Sequence, residues 1–491
     1  MVGGGQLARM THQAAIPLGQ SLRVLSVSPD DCAALVTPDV VIGEHTDLEA
    51  LLSFAEGCDV ITFDHEHVPG EHIRRLVAEG HAVHPGADAL QFAQDKALMR
   101  AKLADLGAPV PAFEVIEADG PAGVEAAVAA FGADQGWPVV VKTARGGYDG
   151  RGVWVIDDPA DVARQALPTT GTLLLEAFVP LQRELAAVIA RSPFGQAAAW
   201  PVVETVQQQG ICVEVIAPAA GLDDDTAAAA SRLALRIAAA LDVVGVLAVE
   251  LFQVNPSAQA PDGLIVNELA MRPHNSGHWT MDGSVTSQFE QHLRAVLDYP
   301  LGRTDQIAPF VVMGNVLGGD ADPLSTDGNP VMGMDERVHH LAARFPEVKV
   351  HLYGKAFRPG RKLGHVNVLG SDLGQLRRRA RLAARWLGDG VWEDGYSVHA
   401  EPPEVPIIAA SGNGAARNGA SEGGAFGDGV SADVVLAAPV PADSVPADGS
   451  VGDGSVGDGV LGDGVLGDGV LGDGGSSSSV DPGAAAVGER R

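Results

Sequence analysis

The sequence predicts a mixed fold, with an α/β domain built on a doubly wound parallel sheet first, then α+β regions and finally a disordered tail. At 491 residues the chain is too long for a single core. Short apolar runs alternate with helical patterns in residues 1–95, and antiparallel-looking strands mix with helices up to about residue 300. We therefore expect domains at 1–95, 96–300 and 301–405, with a small C-terminal domain as the third, and a low-complexity tail at 406–491.

The first domain is predicted from the strand-like runs "RVLSVS" (23–28), "DVITF" (59–63) and "AVHP" (82–85), with "QLARMTHQAAIPLG" as the first helix. Only Met1 and Val2 precede the glycine turn "VGGGQLA". We expect either a start further upstream or a stunted first strand that loses most of its ladder and some stability.

The glycine turn also satisfies the dinucleotide pattern G-x-G-x-x-G/A at residues 3–8, and Asp30 follows the next strand. A nicotinamide-dependent oxidoreductase is therefore one alternative. A helix N-terminus binds any anion, so the turn could equally serve a phosphate of another ligand.

The tail has a period of five residues, as in "GDGVLGDGVLGDGVLGDGG", with an aspartate in each repeat. Such glycine-rich sequence buries too little to offset its ordering entropy, which predicts disorder. A calcium-binding β-roll is the alternative, but its repeat has nine residues.

Composition narrows the functional class. A net charge of −30 argues against a nucleic-acid partner, which clustered Lys and Arg would hold. No apolar run approaches the roughly 18 residues of a membrane span, and no secretory leader opens the chain. The cysteines, Cys32, Cys58 and Cys212, have no ligand spacing, which argues against a structural zinc site. We expect a cytoplasmic enzyme.

The stretch "VVKTARGGYDGRGVWVI" predicts two β-branched strands, 139–142 and 153–156, joined by a glycine-rich loop. Glycines let backbone amides approach a phosphate closely. An ordinary flexible hairpin remains the alternative.

Charged residues around this loop point to ATP. Lys96 begins a helix and Lys142 ends a strand, so two point charges can neutralise adjacent phosphates. The apolar strand before Glu176, with Glu184 eight residues later, suits an adenine edge and a ribose. Each residue alone could simply solvate a face.

Two carboxylates lie on apolar strands, Glu250 in "VGVLAVELF" and Glu268 in "LIVNELAM", with Asn267 beside the latter. Acids on buried strands are costly unless they are paired or bound to a cation. Magnesium held by oxygen ligands is the favoured explanation, and a buried salt bridge is the alternative.

Two further stretches carry polar clusters. "FRPGRKLGH" is a candidate anion site in an acidic chain, or else a solvated turn. "FDHEHVP" resembles a metal cluster, but adjacent residues on an extended chain point to opposite faces. We favour a substrate-side loop at the end of a parallel strand.

The order of two lysines, a glycine loop, a strand-borne acid and two metal acids resembles the ATP-grasp superfamily. Within it, "GGGQLARM", "GGYDGRG", "ELAMRPHNSGHWT" and "KAFRPGRKLGHVN" together resemble the N5-carboxyaminoimidazole ribonucleotide synthetases. The resemblance runs from residue 1 to about residue 403 and leaves out the tail.

The resemblance implies an ATP-grasp fold and a carbon–nitrogen ligase of de novo purine biosynthesis. The implied reaction carboxylates 5-aminoimidazole ribonucleotide with bicarbonate through carboxyphosphate, at the expense of ATP and with Mg²⁺. It also implies a cytoplasmic homodimer with small-molecule substrates, and a glycine loop that closes to exclude water. Another purine-pathway ligase, such as the formate-dependent glycinamide ribonucleotide enzyme, and a non-catalytic nucleotide-binding protein are the alternatives.

The resemblance also assigns residues. The implied catalytic residues are Arg272, His274, Asn275 and Lys355, and His274 is expected to shuttle a proton near neutral pH. The implied ATP-binding residues are Lys96, Lys142, Gly147, Tyr148, Asp149, Gly150, Arg151, Gly152, Glu176, Ala177, Phe178, Val179, Glu184, Gln207, Asn267 and Glu268. The implied substrate-binding residues are Gln6, Leu7, Glu66, Tyr148, Asp149, Arg151, Lys355, Arg361 and Lys362. The implied metal ligands are Glu250 and Glu268. Gln207 stands where the family often carries a histidine, and it cannot titrate.

Overall fold

The structure is a computed structural model that describes residues 1–147, 150–319 and 332–396. They lie in one compact unit, Met1–Val405. The Gly/Asp-rich tail and two loop residues, Tyr148 and Asp149, lie outside the described residues. Within the described part of the chain, no helix is both long enough and apolar enough to cross a membrane.

The N-terminal part is a parallel sheet flanked by helices, as predicted. Its elements are α1 (Gln6–Ala15), a 3₁₀ turn (Ile16–Leu18), β1 (Arg23–Ser26), β2 (Asp39–Ile42), α2 (Leu48–Ala55), α3 (Gly70–Ala78) and α4 (Ala87–Gln94). β1 pairs with β2 in parallel. Val2 bridges Leu25 and Phe63, and Ile61 bridges Val83, all in parallel. The strands predicted at 59–63 and 82–85 are therefore reduced to isolated bridges, at Ile61 and Phe63 in the first and at Val83 in the second. Their ladders stop where Asp64 turns to cap α1 and where Pro85 offers no amide.

The first strand is stunted, as one of the two alternatives predicted, because Val2 forms isolated parallel bridges rather than a longer ladder. The Val2 amide donates to Thr62 O (2.8 Å) and the Gly3 amide to Leu25 O (2.9 Å). The Val2 carbonyl accepts from the Asp64 amide (2.8 Å), and Val2 itself is fully buried. The segment before the glycine turn is short, yet it is hydrogen-bonded on both sides and packed in the core.

The central part begins with a small antiparallel sheet covered by α6. Its elements are α5 (Lys96–Asp105), β3 (Phe113–Asp119), α6 (Gly120–Gln135), β4 (Val139–Thr143), β5 (Val153–Ile156), α7 (Pro159–Val162) and β6 (Thr170–Ala177). The strand order is β3, β6, β4, β5. The predicted hairpin is confirmed, because β4 and β5 pair antiparallel with Lys142 opposite Val153. This register places Lys142 at the start of the glycine loop.

A large antiparallel sheet follows. The remaining elements are β7 (Arg183–Arg191), β8 (Ala197–Ala199), β9 (Val203–Gln208), β10 (Ile211–Ala217), α8 (Asp224–Ala240), β11 (Gly245–Gln253), β12 (Leu264–Ala270), a 3₁₀ turn (Asn275–Gly277), α9 (Thr280–Gly283), α10 (Gln288–Val296), β13 (Phe310–Leu317), α11 (Met334–Arg344), β14 (Lys349–Leu352), β15 (Lys362–Gly370) and α12 (Leu373–Asp389). The order is β12, β11, β7, β9, β10, β13, β15, β14, with β8 on β7. The sheet continues across residue 300, because the apolar β13 pairs with β10.

A buried histidine joins the N-terminal sheet to the large sheet. The Val246 amide of β11 donates to His292 Nδ1 (3.1 Å), so Nε2 carries the proton and donates to Thr62 Oγ1 (2.8 Å). Burial lowers the pKa of His292 to about 3, which keeps the ring neutral. Gly245, with φ +107°, lies against this ring, and a Cβ there would come within 2.8 Å of it. The contact therefore ties the N-terminal sheet to β11 of the large sheet.

Candidate active site

One cavity of about 1240 Å³ collects side chains from all three predicted domains. Of the residues predicted for the site, those that line it are Gln6, Leu7, Glu66, Lys96, Lys142, Gly147, Gly150, Arg151, Glu176, Ala177, Phe178, Val179, Glu184, Gln207, Glu250, Asn267, Glu268, Arg272, His274, Asn275, Lys355, Arg361 and Lys362. Tyr148 and Asp149 lie outside the described residues.

Gly152 is a predicted ATP-binding residue that does not line the cavity. Instead it shapes the glycine loop. Its φ is +72°, and a Cβ there would lie 2.6 Å from Thr143 Oγ1. Both facts require glycine, because a side chain would be strained and would collide with β4. Gly146 and Gly150 also have positive φ, so the loop leaves the hairpin through several left-handed residues.

The two predicted phosphate lysines reach the same end of the cavity from different elements. Lys96 begins α5, whose N-terminus is capped by Asp95 through the amides of residues 97 and 98, and its ammonium pairs with Glu268. Lys142 Nζ lies 2.7 Å from Glu176 Oε2 and 3.3 Å from Asn267 Oδ1. Each lysine therefore has a carboxylate partner in this structure, and a phosphate would compete with that partner.

Arg100 is a buried cation of the site that the sequence reasoning missed. Its guanidinium donates to Glu176 Oε1 (2.6 Å) and to the carbonyls of Val266 (2.7 Å) and Asn267 (2.8 Å). Burial alone would raise the pKa of Glu176, but Lys142 and Arg100 outweigh it and hold that pKa below its usual value. The Glu176 carboxylate therefore serves as an anchor between two cations. The spacing of Arg100, four residues after Lys96 on one helix face, could have revealed it.

The two predicted metal acids face each other across β11 and β12, where Glu250 is directly paired with Glu268. Asn267 Nδ2 lies 3.4 Å from Glu250 Oε2. Burial and the charges of Glu268 and Glu184 raise the pKa of Glu250 to about 7. Two acids that lie side by side and repel each other fit a divalent cation, which would offset their repulsion. Among the described residues, no group of three or more His, Cys, Asp or Glu could hold a metal ion. Mg²⁺ needs only one or two carboxylates when phosphates and water complete its shell.

The segment after β12 presents Arg272, His274 and Asn275 to the cavity. Arg272 Nε forms an ion pair with Glu66 Oε1 (2.7 Å), which links the "FDHEHVP" loop to this segment. Asn275 exchanges amide hydrogen bonds with Asn315 of β13, at 2.9 and 2.8 Å. These contacts hold the segment on both sides.

The expectation that His274 titrates near neutral pH is wrong for this structure. Burial, with the nearby positive charges of Arg272 and Lys362, lowers its pKa to about 3. The Ser276 amide donates to Nδ1 (3.4 Å), so the proton of the neutral ring lies on Nε2, which is 3.4 Å from Glu250 Oε1. His274 is a neutral hydrogen-bond donor here.

Basic residues before and at the start of β15 line the opposite part of the cavity. Lys355 Nζ donates to Gln6 Oε1 (2.6 Å), so the glycine turn of the first domain meets this cluster. Burial lowers the pKa of Lys355. Arg361 donates to Ala356 O (3.1 Å), and Arg358, which was not singled out, also lines the cavity.

Asp64 caps the helix that follows the glycine turn. The Gly5 and Ala8 amides donate to the two oxygens of Asp64 at 3.0 and 2.7 Å. This carboxylate already occupies the N-terminus of α1, where a dinucleotide's pyrophosphate would bind. The oxidoreductase alternative therefore fails. Asp64 and Glu66 contact different partners, the α1 N-terminus and Arg272 respectively.

Glu184, the predicted ribose ligand, lies on β7 within hydrogen-bonding reach of Gln207 on β9, which was predicted to bind ATP. Burial raises the pKa of Glu184, and a hydrogen bond from Gln207 partly opposes that rise. Glutamine in place of histidine thus keeps a donor against this acid.

Comparisons with known proteins agree along the described chain. Residues 1–94 match the ribonucleotide synthetase preATP-grasp domain family. Residues 101–289 match the ATP-grasp domain family, and residues 311–379 match the phosphoribosylaminoimidazole carboxylase C-terminal domain family.

Three of the similar proteins show the range of the resemblance. N5-carboxyaminoimidazole ribonucleotide synthase of Mycobacterium bovis is 60% identical over 402 residues, covering 81% of this chain and 90% of the relative. The crystal structure of the Thermus thermophilus synthetase is 38% identical with a TM-score of 0.67, covering 80% of this chain and 99% of that one. The Aspergillus clavatus synthase in complex with ADP and 5-aminoimidazole ribonucleotide is 29% identical with a TM-score of 0.69, covering 79% of this chain and 98% of that one.

Proposed function

This chain belongs to the N5-carboxyaminoimidazole ribonucleotide synthase family, and on that premise we propose how its own residues carry out the reaction. It is an ATP-dependent carbon–nitrogen ligase of purine biosynthesis that carboxylates 5-aminoimidazole ribonucleotide. One observation supports the assignment of roles: Lys96, Lys142, the Glu250–Glu268 pair and Arg272 all line the same cavity.

We propose bicarbonate as the carboxyl donor. A bicarbonate oxygen attacks the γ-phosphorus of ATP, the bond from phosphorus to the β–γ bridging oxygen breaks, and ADP leaves with that electron pair. Lys96 and Lys142 balance the phosphate charge after giving up Glu268 and Glu176 as partners. The planar fork of Arg272 holds the carboxylate face of the resulting carboxyphosphate.

ATP-grasp enzymes use ATP with a divalent metal, and we propose Mg²⁺ for this chain. Glu250 and Glu268 hold it, with Asn267 adjacent. When bound, the ion neutralises charge on the phosphates. The raised pKa of Glu250 supports this assignment, because the acid pair needs a cation nearby to be fully ionised.

In the second step the exocyclic amine of the ribonucleotide attacks the carboxyl carbon. The carbon–oxygen bond to the phosphoryl group breaks, and phosphate leaves with that electron pair and takes up the proton that the amine loses. Neutral His274 donates through Nε2 and orients the carboxyl group. The basic residues Lys355, Arg361 and Lys362 hold the 5′-phosphate of the substrate.

Water competes with the amine for carboxyphosphate, so closure of the glycine loop matters. We propose that the glycine loop covers the site, with Arg151 facing the ribonucleotide. Tyr148 and Asp149, which the resemblance also assigns to the substrate, lie outside the described residues. Gln6, Leu7 and Glu66 bound the same substrate from the first domain. The ion pair between Glu66 and Arg272 supports this placement, because it joins the proposed ribonucleotide side to the proposed carboxyl side.

The adenosine part of ATP binds at the opposite end of the cavity from the ribonucleotide. There, residues 176–179 border the adenine, and Glu184 binds the ribose with Gln207 beside it. The Glu176 side chain is held by Arg100 and Lys142, so the backbone of this stretch is the part that meets the base. Gly147, Gly150 and Gly152 shape the cover over the phosphates.

Oxygen labelling tests the bicarbonate step. Bicarbonate labelled with ¹⁸O is mixed with enzyme, MgATP and 5-aminoimidazole ribonucleotide, and phosphate is collected before the label exchanges with water. The proposal predicts one labelled oxygen in each phosphate, because a bicarbonate oxygen attacks phosphorus. Unlabelled phosphate formed together with the carboxylated product would overturn it.

We also propose that the chain is a cytoplasmic homodimer, as its resemblance to the family implies. Light scattering coupled to size exclusion tests the assembly, and a mass of one chain at micromolar concentration would refute it.

A further inference from the structure

His278 is a second histidine of the "HNSGHW" stretch, and the reaction described above does not use it. It lines the cavity although its residue is only 1% exposed. It immediately follows the 3₁₀ turn Asn275–Gly277, which His274 begins. Most of the ring is therefore packed in protein.

Gln288, at the start of α10, fixes which nitrogen of His278 carries the proton. The His274 amide donates to Gln288 Oε1 (2.9 Å), and Gln288 Nε2 donates to His274 O (2.8 Å). The amide orientation of Gln288 is thereby set by two backbone groups. Its Nε2 also lies 2.8 Å from His278 Nδ1, which must accept. The proton of neutral His278 therefore lies on Nε2.

The packing around Gln288 leaves no room for another arrangement. A Cβ on Gly277 would lie 2.3 Å from Gln288 Oε1. The Gln288 amide donates to Thr280 Oγ1 (2.9 Å), which in turn donates to Gly277 O (2.6 Å). Gln288 itself is fully buried. Gln288, which orients His278, is thus held in place by His274, Gly277 and Thr280.

Aromatic rings hold His278 from behind. Its ring centroid lies 5.0 Å from that of His365, 5.6 Å from Phe289 and 6.4 Å from Tyr353. Tyr353 and His365 are joined by a 2.9 Å hydrogen bond. Burial, with the charges of Lys362 and Arg272 nearby, lowers the pKa of His278 well below its usual value. The ring is neutral and cannot easily rotate.

The remaining nitrogen is free to meet a ligand. Among the described residues, no group accepts a hydrogen bond from His278 Nε2. This atom is also not one of the side-chain atoms sealed from solvent without a partner. Since His278 borders the cavity, its Nε2–H faces that space.

From this geometry we infer that His278 is a further catalytic residue, a fixed neutral donor whose Nε2–H binds an anionic oxygen of the carboxyl group being transferred. The inference rests on the proposed function. A donor that is oriented before the reaction and screened from water stabilises developing charge without reorganising. Gln288 is its positioning residue.

Two substitutions separate the donor from the ring. His278→Phe keeps a ring but removes the donor, and His278→Gln places a neutral N–H near the former Nε2. His292→Gln is the matched control. Like His278, His292 is buried and neutral, but both of its nitrogens are hydrogen-bonded within the protein and it does not line the cavity. Thermal unfolding of each variant checks the fold.

Kinetics decide the inference. We expect His278→Phe to lower kcat for ribonucleotide-dependent ADP release by roughly 10²-fold with little change in KM for ATP. We expect less carboxylated product per ADP, recovery by His278→Gln to within about tenfold of wild type, and no change in the pH profile. A kcat for folded His278→Phe within about twofold of wild type, or a large effect of His292→Gln on kcat, would overturn it.

If His278→Phe does not fold, a measurement on the wild-type chain still tests the inference. ¹⁵N NMR of the histidines in the wild-type chain should find His278 with its proton on Nε2 from pH 6 to pH 9. A proton on Nδ1, or titration in that range, would overturn the inference. Wild-type chain with no ribonucleotide-dependent ADP release would instead refute the proposed function, so the two failures are distinguishable.

Discussion

The link between the two sheets through His292 predicts a specific dependence of stability on pH. His292 is fully buried, its Nδ1 accepts from the Val246 amide, and its Nε2 donates to Thr62. Its pKa is about 3 in the folded chain, whereas an unfolded histidine titrates near 6.5. Below pH 6.5 the unfolded chain therefore binds a proton that the folded chain does not, and stability falls as the pH falls.

The magnitude follows from this difference. Between pH 7.5 and pH 5.5 the residue's contribution falls by about 1.4 kcal/mol, since protonation of the unfolded state gains RT ln(1 + 10) at one unit below its pKa. The folded pKa is so far below this window that its exact value does not matter. His292→Gln should cost about 1–3 kcal/mol at pH 7.5 through lost buried hydrogen bonds. The variant's deficit should therefore shrink by about 1.4 kcal/mol at pH 5.5.

Urea unfolding of wild type and His292→Gln at pH 7.5, 6.5 and 5.5 measures this deficit directly. Fluorescence and circular dichroism must give coincident transitions for the free energies to be used. Other titrating groups are common to both proteins and cancel. His339→Gln, on the exposed side of α11, is the control for replacing a histidine outside the core. A His292→Gln deficit that is the same at all three pH values would refute the reasoning.

Three further substitutions test the site. Glu268→Gln should abolish ribonucleotide-dependent ADP release without lowering the melting temperature, since it removes a proposed cation ligand; retention of most activity would remove the metal assignment. Arg100→Leu should destabilise the chain by about 3 kcal/mol or more in urea unfolding, because it leaves Glu176 buried with one cation fewer; a loss below 1 kcal/mol would mean that the pair is not a structural anchor. Gly152→Ala should raise KM for ATP, because alanine at φ +72° strains the loop; unchanged steady-state constants would show that the loop tolerates a side chain there.

Local patterns predicted a large part of the fold. The β-branched runs around the glycine loop gave the hairpin of β4 and β5, and alternating strands and helices gave the parallel sheet of the first domain. The acids on apolar strands, Glu250 and Glu268, were found because a buried carboxylate needs an explanation wherever it occurs. Each of these features was predictable because residues that are close together in the sequence determine it.

Contacts between distant residues were not predictable in the same way. Asp64 caps a helix more than fifty residues earlier in the chain, and it thereby occupies two amides of the glycine turn. Pairing of β10 with β13 carries the large sheet across the expected domain boundary. The pKa of His274 depends on burial and on Arg272 and Lys362, which only the folded chain brings together.

The central claim is that this cavity joins a carboxyl group to the ribonucleotide at the expense of ATP. The most direct measurement is ADP and phosphate release by the purified chain with MgATP and bicarbonate, with and without 5-aminoimidazole ribonucleotide, together with detection of the carboxylated product. Release that depends on the ribonucleotide and on Mg²⁺, with one product per ADP, is the predicted result. Folded chain that binds ATP but releases no phosphate when the ribonucleotide is added would contradict the account.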